Sequence, residues 1–229
     1  MGLAAGSYAI NAVIAWLRYG RTKRQPRTDE ADSLLDRFMP DYEVVDRHHV
    51  RIDAPPDIAF SASAGMDLLQ SRIIRGIFKA RELALRGRPR PAVLPTGLIE
   101  QMQTLGWSVL AEVPGREIVL GAATRPWQAD PEFRALPPED FAAFNQPDFV
   151  KIVWNLRADS FGHAESIFRT ETRATTTDAG ARSKFRRYWS AVLPGIIVIR
   201  RIALRLVKRA AERRAKLAKR EASNPLLSA

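Results

Sequence analysis

Residues 148–159 read DFVKIVWNLRAD. Val150, Ile152, Trp154, Leu156 and Ala158 alternate with Lys151, Asn155 and Arg157, the two-residue period of a strand that buries one face. After the turn SFGHAES comes ESIFRTETRATT, residues 165–176. Here Phe168, Thr170, Thr172 and Ala174 share the inward face, and Arg169, Glu171 and Arg173 face outward. The pair predicts a long antiparallel ladder. Two inward threonines are unusual for a purely apolar core. A buried hydroxyl without a partner costs about 1–3 kcal/mol, and a pocket holding water or a polar ligand atom would supply one.

The flanking segments fit an antiparallel sheet with helices. In YEVVDRHHVRIDAPP, Tyr42, Val44, His48, Val50 and Ile52 share one face of a strand that Pro55 and Pro56 terminate. Residues 57–85 read as helical with a break at Gly65. Residues 87–97 read as a loop, and LIEQMQTL as a short helix. The segment WSVLAEVPGREIVLGAAT predicts a hairpin turning at Pro114 and Gly115. The connection 124–147 carries five prolines, with one helical turn expected at Pro137 or Pro138. Thr177 or Asp178 can cap a final helix striped by Phe185, Tyr188, Trp189 and Val192. Pro194 and Gly195 are expected to interrupt it, with a restart at Ile196. The class is therefore α+β: a curved antiparallel sheet with helices against one face.

The two ends differ from this middle. Residues 182–229 hold 14 Lys/Arg and 2 Glu, whereas residues 1–181 hold 22 basic and 23 acidic residues. Residues 196–211 of the last helix are amphipathic, with Arg200, Arg201, Arg205 and Lys208 expected on the polar arc. Arg213, Arg214, Lys216, Lys219 and Arg220 read as a solvated basic extension. At the other end, residues 3–17 are uncharged, roughly 22 Å of helix at 1.5 Å per residue. Trp16, Arg18 and Arg21 then bring interfacial chemistry. Such ends suit an anionic membrane surface. An N-terminal helix packed on the domain or on a partner, a spanning helix, and a tail serving only solubility are the other readings. Nucleic acid is disfavoured, because the tail lacks stacking aromatics. The expected division is 1–19 apolar helix, 20–34 polar linker, 35–211 folded domain and 212–229 basic extension.

The pieces RIDAPPDIAF, LAEVPGREIVLG and TETRATTTDAGARSKFRRYWSAVLPG resemble uncharacterised bacterial members of the SRPBCC superfamily, which includes START-related lipid carriers and polyketide cyclases. The resemblance covers about residues 35–210. It implies a helix-grip fold, a curved sheet wrapped around a long C-terminal helix with an apolar cavity between them. Five strands are visible in the sequence, which implies a small cavity. No shared catalytic motif exists to carry over.

Site expectations follow from those readings. Trp107, Leu120, Trp154, Phe168, Thr170, Thr172, Tyr188, Trp189 and His48 are the candidate cavity residues. Trp127, Phe141 and Phe144 are candidate lid residues in the long connection. With no cysteine and three histidines, thiol chemistry is excluded, and the adjacent His48 and His49 point to opposite faces of one strand. No metal site, cofactor or catalytic residue is assigned. The expected function is binding of an apolar small molecule or lipid at the cytoplasmic membrane face. The rivals are a cyclase or dehydratase type enzyme, and a structural protein with a filled core.

Overall fold

A computed structural model describes residues 2–20, 31–87 and 95–223. Arg21 lies outside the described residues, as does the side chain of Arg18. Six strands form one antiparallel sheet: β1 (Val44–Ile52), β2 (Ser108–Val113), β3 (Glu117–Thr124), β4 (Phe133–Arg134), β5 (Val150–Ser160) and β6 (Ser166–Thr176). Their order is β1-β6-β5-β3-β2, and β4 pairs with the end of β3 beyond β2. The five strands legible in the sequence thus gain a sixth from the proline-rich connection. Helices α1 (Gly2–Arg18), α2 (Ser33–Asp36), α3 (Pro56–Ala64), α4 (Arg72–Ala84), α5 (Leu98–Thr104) and α6 (Pro138–Phe141) precede the long α7 (Ala179–Ser223).

The register fixes two faces. Trp154 lies between Thr172 of β6 and Leu120 of β3, and His48 lies opposite Thr170. This inner face is covered by α7, α3 and α5. One apolar cluster joins Leu120, Trp154, Leu156 and Phe168 to Leu204, Val207 and Ala211 of α7. A second joins Val44, Val150 and Ala174 to Phe185 and Trp189, nearer the start of α7. The sheet wrapped by a long C-terminal helix is a helix-grip arrangement.

Several elements depart from the sequence reading. The helix does not break at Pro194; α7 runs unbroken for 45 residues. Proline costs a helix one hydrogen bond and crowds the preceding turn. Here packing on both sides holds that turn: the Tyr8 hydroxyl donates to the Ala191 carbonyl, and Gly195 admits Ile77 of α4. Apolar packing also runs past the expected end at residue 211, because Ala215 is buried in the first cluster. Arg200 leaves the polar arc and points beneath the helix, where Thr170 and Thr172 receive it.

The outer face is also buried, which the alternation did not show. Residues 31–41 and α6 lay Leu35, Phe38, Met39 and Phe141 over Leu110, Val119, Ala123 and Val153. The stretch expected as linker is part of this layer from Ala31 onward. Asn155 and Arg173, expected to face solvent, are 1% and 0% exposed. The turn into β2 needs Gly106, at φ +94°, where a Cβ would sit 2.0 Å from the Phe133 carbonyl oxygen. Gly106→Ala is therefore expected to cost at least about 1–3 kcal/mol in urea unfolding.

Candidate functional site

The inner face carries one polar patch between its two apolar clusters, and Arg200 is its centre. Arg200 Nη1 donates to Thr170 Oγ1 at 3.2 Å, and Nη2 donates to Thr172 Oγ1. Its guanidinium lies 5.1 Å from the Trp154 ring centroid, a cation–π contact. Trp154 Nε1 donates to Thr170 Oγ1 at 2.6 Å, and the Thr170 hydroxyl donates to the Asn155 carbonyl at 2.9 Å. The two inward threonines thus find partners in an arginine and a tryptophan. Burial pushes the Arg200 guanidinium below its ordinary pKa, with Asp46 opposing.

Asp46 completes the patch. Its Oδ1 lies 2.9 Å from His48 Nε2, and its Oδ2 lies 3.9 Å from Arg200 Nε. That Oδ2 is buried and accepts no hydrogen bond. An unsatisfied buried acceptor costs free energy that a ligand donor or a water could recover. Chemically, the His48–Asp46 pair can hold and pass a proton, and Arg200 can bind an acceptor.

Beside the patch lies an apolar cavity of about 30 Å³. Trp154, Leu156 and Phe168 form its sheet wall, Ala203, Leu204 and Val207 its α7 wall, and Met66, Leu68 and Leu98 close it. Space of this size admits about two waters.

The expected cavity residues divide accordingly. Trp154, Phe168 and Thr170 line the cavity, and Thr172 and His48 belong to the adjoining patch. Leu120 is fully buried in the same cluster. Trp107 stacks on Phe133 at 5.4 Å, near β4. Tyr188 and Trp189 belong to the other apolar cluster, and Tyr188 accepts from Arg81 Nε at 3.1 Å. Of the expected lid, Trp127 packs against that same cluster. Phe141 and Phe144 pack on the outer face, away from the cavity. The lid expectation for these two is therefore corrected: α6 seals the outer layer. Arg213, Arg214, Lys216, Lys219 and Arg220 are exposed along the far end of α7. Sequence reasoning missed Asp46 and Arg200. Asp46 stood in the inward period of its own strand, two residues from His48.

The outer face holds a second polar centre. Asn155 Nδ2 donates to Asp32 Oδ2 at 2.6 Å and to Glu117 Oε1 at 3.1 Å. Arg157 approaches both carboxyls, at 3.5 and 3.9 Å. Burial, then the hydrogen bond and charge of Asp32, push the Glu117 carboxyl up to about 8, against Asn155 and Arg157. Beside it Glu171 accepts from Arg47 at 2.7 Å and from Arg173 at 2.6 Å.

The chain matches no protein-family model. It matches no curated protein either. Solved structures with a related outline exist. Hypothetical protein jhp0584 from Helicobacter pylori has a TM-score of 0.38 at 5% identity, covering 77% of this chain and 93% of that one. Protein CV1439 from Chromobacterium violaceum has 0.31 at 12%, covering 73% and 96%. The Zhui aromatase/cyclase from Streptomyces sp. R1128 has 0.30 at 14%, covering 75% and 94%. Likenesses at this level carry no residue roles across.

Proposed function

We propose that the chain is a binding protein of the SRPBCC kind, taking a small, largely apolar molecule between the sheet and α7. The observation that carries this reading is the apolar cavity ending at Arg200, whose ion-pair partner Asp46 has a buried oxygen that accepts no hydrogen bond. Apolar walls with a few convergent polar groups are the common chemistry of small-molecule sites. The apolar part of the ligand would contribute roughly 25 cal/mol per Å² removed from water. Its polar end would meet Arg200.

The cavity, about 30 Å³, must grow to hold such a molecule. Sites for drug-sized ligands span about 300–1,000 Å³. The wall able to yield is the stretch carrying Met66 and Leu68, which runs on into α4. Ile74 is the buried residue of α4, while Ile73, Phe78 and Leu83 are exposed. Weakly packed elements open at low free-energy cost.

The small volume favours a second reading, a core filled by its own side chains. Native mass spectrometry separates the two, on protein purified in mild detergent and then incubated with a membrane lipid extract. A discrete adduct is expected, reduced at least tenfold in Arg200→Met. A clean apo mass after incubation would leave the filled core standing and remove the binding reading.

A further inference from the structure

Helix α1 packs along the first part of α7, antiparallel to it. Tyr8 reaches the Ala191 carbonyl, Arg186 donates to the Trp16 carbonyl at 2.9 Å, and Tyr19 meets Phe185 edge-on at 6.1 Å. Ala15 and Tyr19 are buried. The opposite face is not covered: Ile10, Val13, Ile14 and Leu17 are 61%, 57%, 39% and 53% exposed. Their spacing, i, i+3, i+4 and i+7, makes one continuous stripe along the helix. Four large aliphatic side chains in one solvent-facing row mark an interaction surface.

The surroundings of the stripe identify what it meets. Trp16 lies at its edge, 38% exposed, with the Arg186 guanidinium 4.1 Å from its ring. Arg182 and Arg187, on the same part of α7 as Arg186, are exposed. In sequence, residues 18–27 carry Arg18, Arg21, Lys23, Arg24 and Arg27 and no acidic residue. An aliphatic stripe bordered by tryptophan and arginine matches the boundary between acyl chains and anionic headgroups. Lys and Arg near such a surface are attracted to its anionic headgroups. Among the described residues no helix is long and apolar enough to cross a membrane, and one face of α1 is held by α7 through Tyr8 and the Trp16 carbonyl.

We propose that α1 lies in the plane of an anionic phospholipid surface, with Ile10, Val13, Ile14 and Leu17 inserted and the neighbouring arginines on the headgroups. The surface does not depend on the cavity or on any ligand in it. The exposed distal cations Arg213–Arg220 stand about 40 Å or more farther along α7, at 1.5 Å per residue.

The test is co-sedimentation of the full chain with phosphatidylcholine vesicles and with 3:1 phosphatidylcholine:phosphatidylglycerol vesicles, with Val13→Asp/Leu17→Asp alongside. Both substituted positions are more than half exposed, so the double variant should keep its circular dichroism and melting temperature. The wild-type chain is expected to bind the anionic vesicles at least tenfold more tightly than the neutral ones, and the variant to lose at least tenfold. Wild-type protein left in the supernatant with both vesicles overturns the proposal. Binding undiminished in the folded variant overturns it as well. Sedimentation velocity without lipid exposes the competing occupant, a second copy of the chain. A dimer that the double substitution dissociates, with no vesicle binding, would assign the stripe to self-association.

Discussion

Arg173→Ala is expected to destabilise the protein by about 3–5 kcal/mol, the range for breaking one member out of a buried ion cluster. Arg173 is fully buried on the outer face. Its Nε donates to Glu171 Oε1 at 2.6 Å, and its Nη1 donates to Asp36 Oδ1 at 2.6 Å and to the Met39 carbonyl at 2.8 Å. The Tyr42 ring lies 4.8 Å from the guanidinium carbon. One side chain thus ties β6 to the segment 31–41 that forms the outer layer. Truncation would leave a cavity, a buried Met39 carbonyl without that donor, and a Glu171 carboxyl held only from the Arg47 side. Total stabilities are about 5–15 kcal/mol, so the loss would be visible as a large fall in the urea midpoint. The triple variant Arg47→Met/Glu171→Leu/Arg173→Met is expected to cost less than the single one, because it removes the charges together. A triple variant less stable than Arg173→Ala would show that the cluster contributes net stability rather than a balanced set of charges.

Much of this architecture was legible as strand periodicity. β5 and β6 were plain because their inward residues alternate without a gap, and the hairpin at Pro114–Gly115 because a turn pair interrupts two apolar runs. The outer layer was not legible. Asn155, Arg157, Glu171 and Arg173 alternate correctly for a solvent-facing set, and polar residues on a covered face look the same as polar residues in water until the cover is known. The cover, Leu34 to Met39, is too short a segment for periodicity to separate from a linker. Arg200 failed for a related reason. A helical wheel assigns arginine to the wet side, yet the sheet beneath α7 offers two hydroxyls and an aspartate at that level. The two inward threonines did signal a polar feature on the inner face. Half of that feature came from a helix some thirty residues away in sequence, beyond the reach of local patterning. The aromatic candidates divided because aromatic type alone does not tell a cavity wall from ordinary core.

The largest pH effect is expected from Glu117. The residue is 5% exposed, and its carboxyl shares Asn155 with Asp32 on the outer face. Removal from water is the main reason its pKa rises to about 8; the Asp32 carboxyl adds to the rise, while Asn155 and Arg157 oppose it. The folded chain therefore holds one proton that the unfolded chain gives up near pH 4.5. The sign follows from linkage: this contribution is fully present below about pH 4.5, is lost as pH rises to about 8, and stays constant above that. At about 1.4 kcal/mol per pH unit, the whole interval is worth several kcal/mol. Glu117→Gln supplies a neutral amide that can accept from Asn155 and donate to Asp32, so it imitates the protonated acid at every pH. Relative to wild type, the variant should be nearly neutral at pH 4.5 and should gain stability steadily up to pH 8, as read from urea unfolding at each pH. The local form of the same effect is loosening of the outer layer, because Asp32 Oδ1 also caps the Leu34 and Leu35 amides at 3.1 and 2.9 Å. Hydrogen exchange at those two amides, corrected for its intrinsic pH dependence, should accelerate by up to tenfold per pH unit across that window in wild type and not in Glu117→Gln. Equal pH profiles for the two proteins would mean that Glu117 is ionised throughout, with Arg157 and Asn155 outweighing both burial and Asp32.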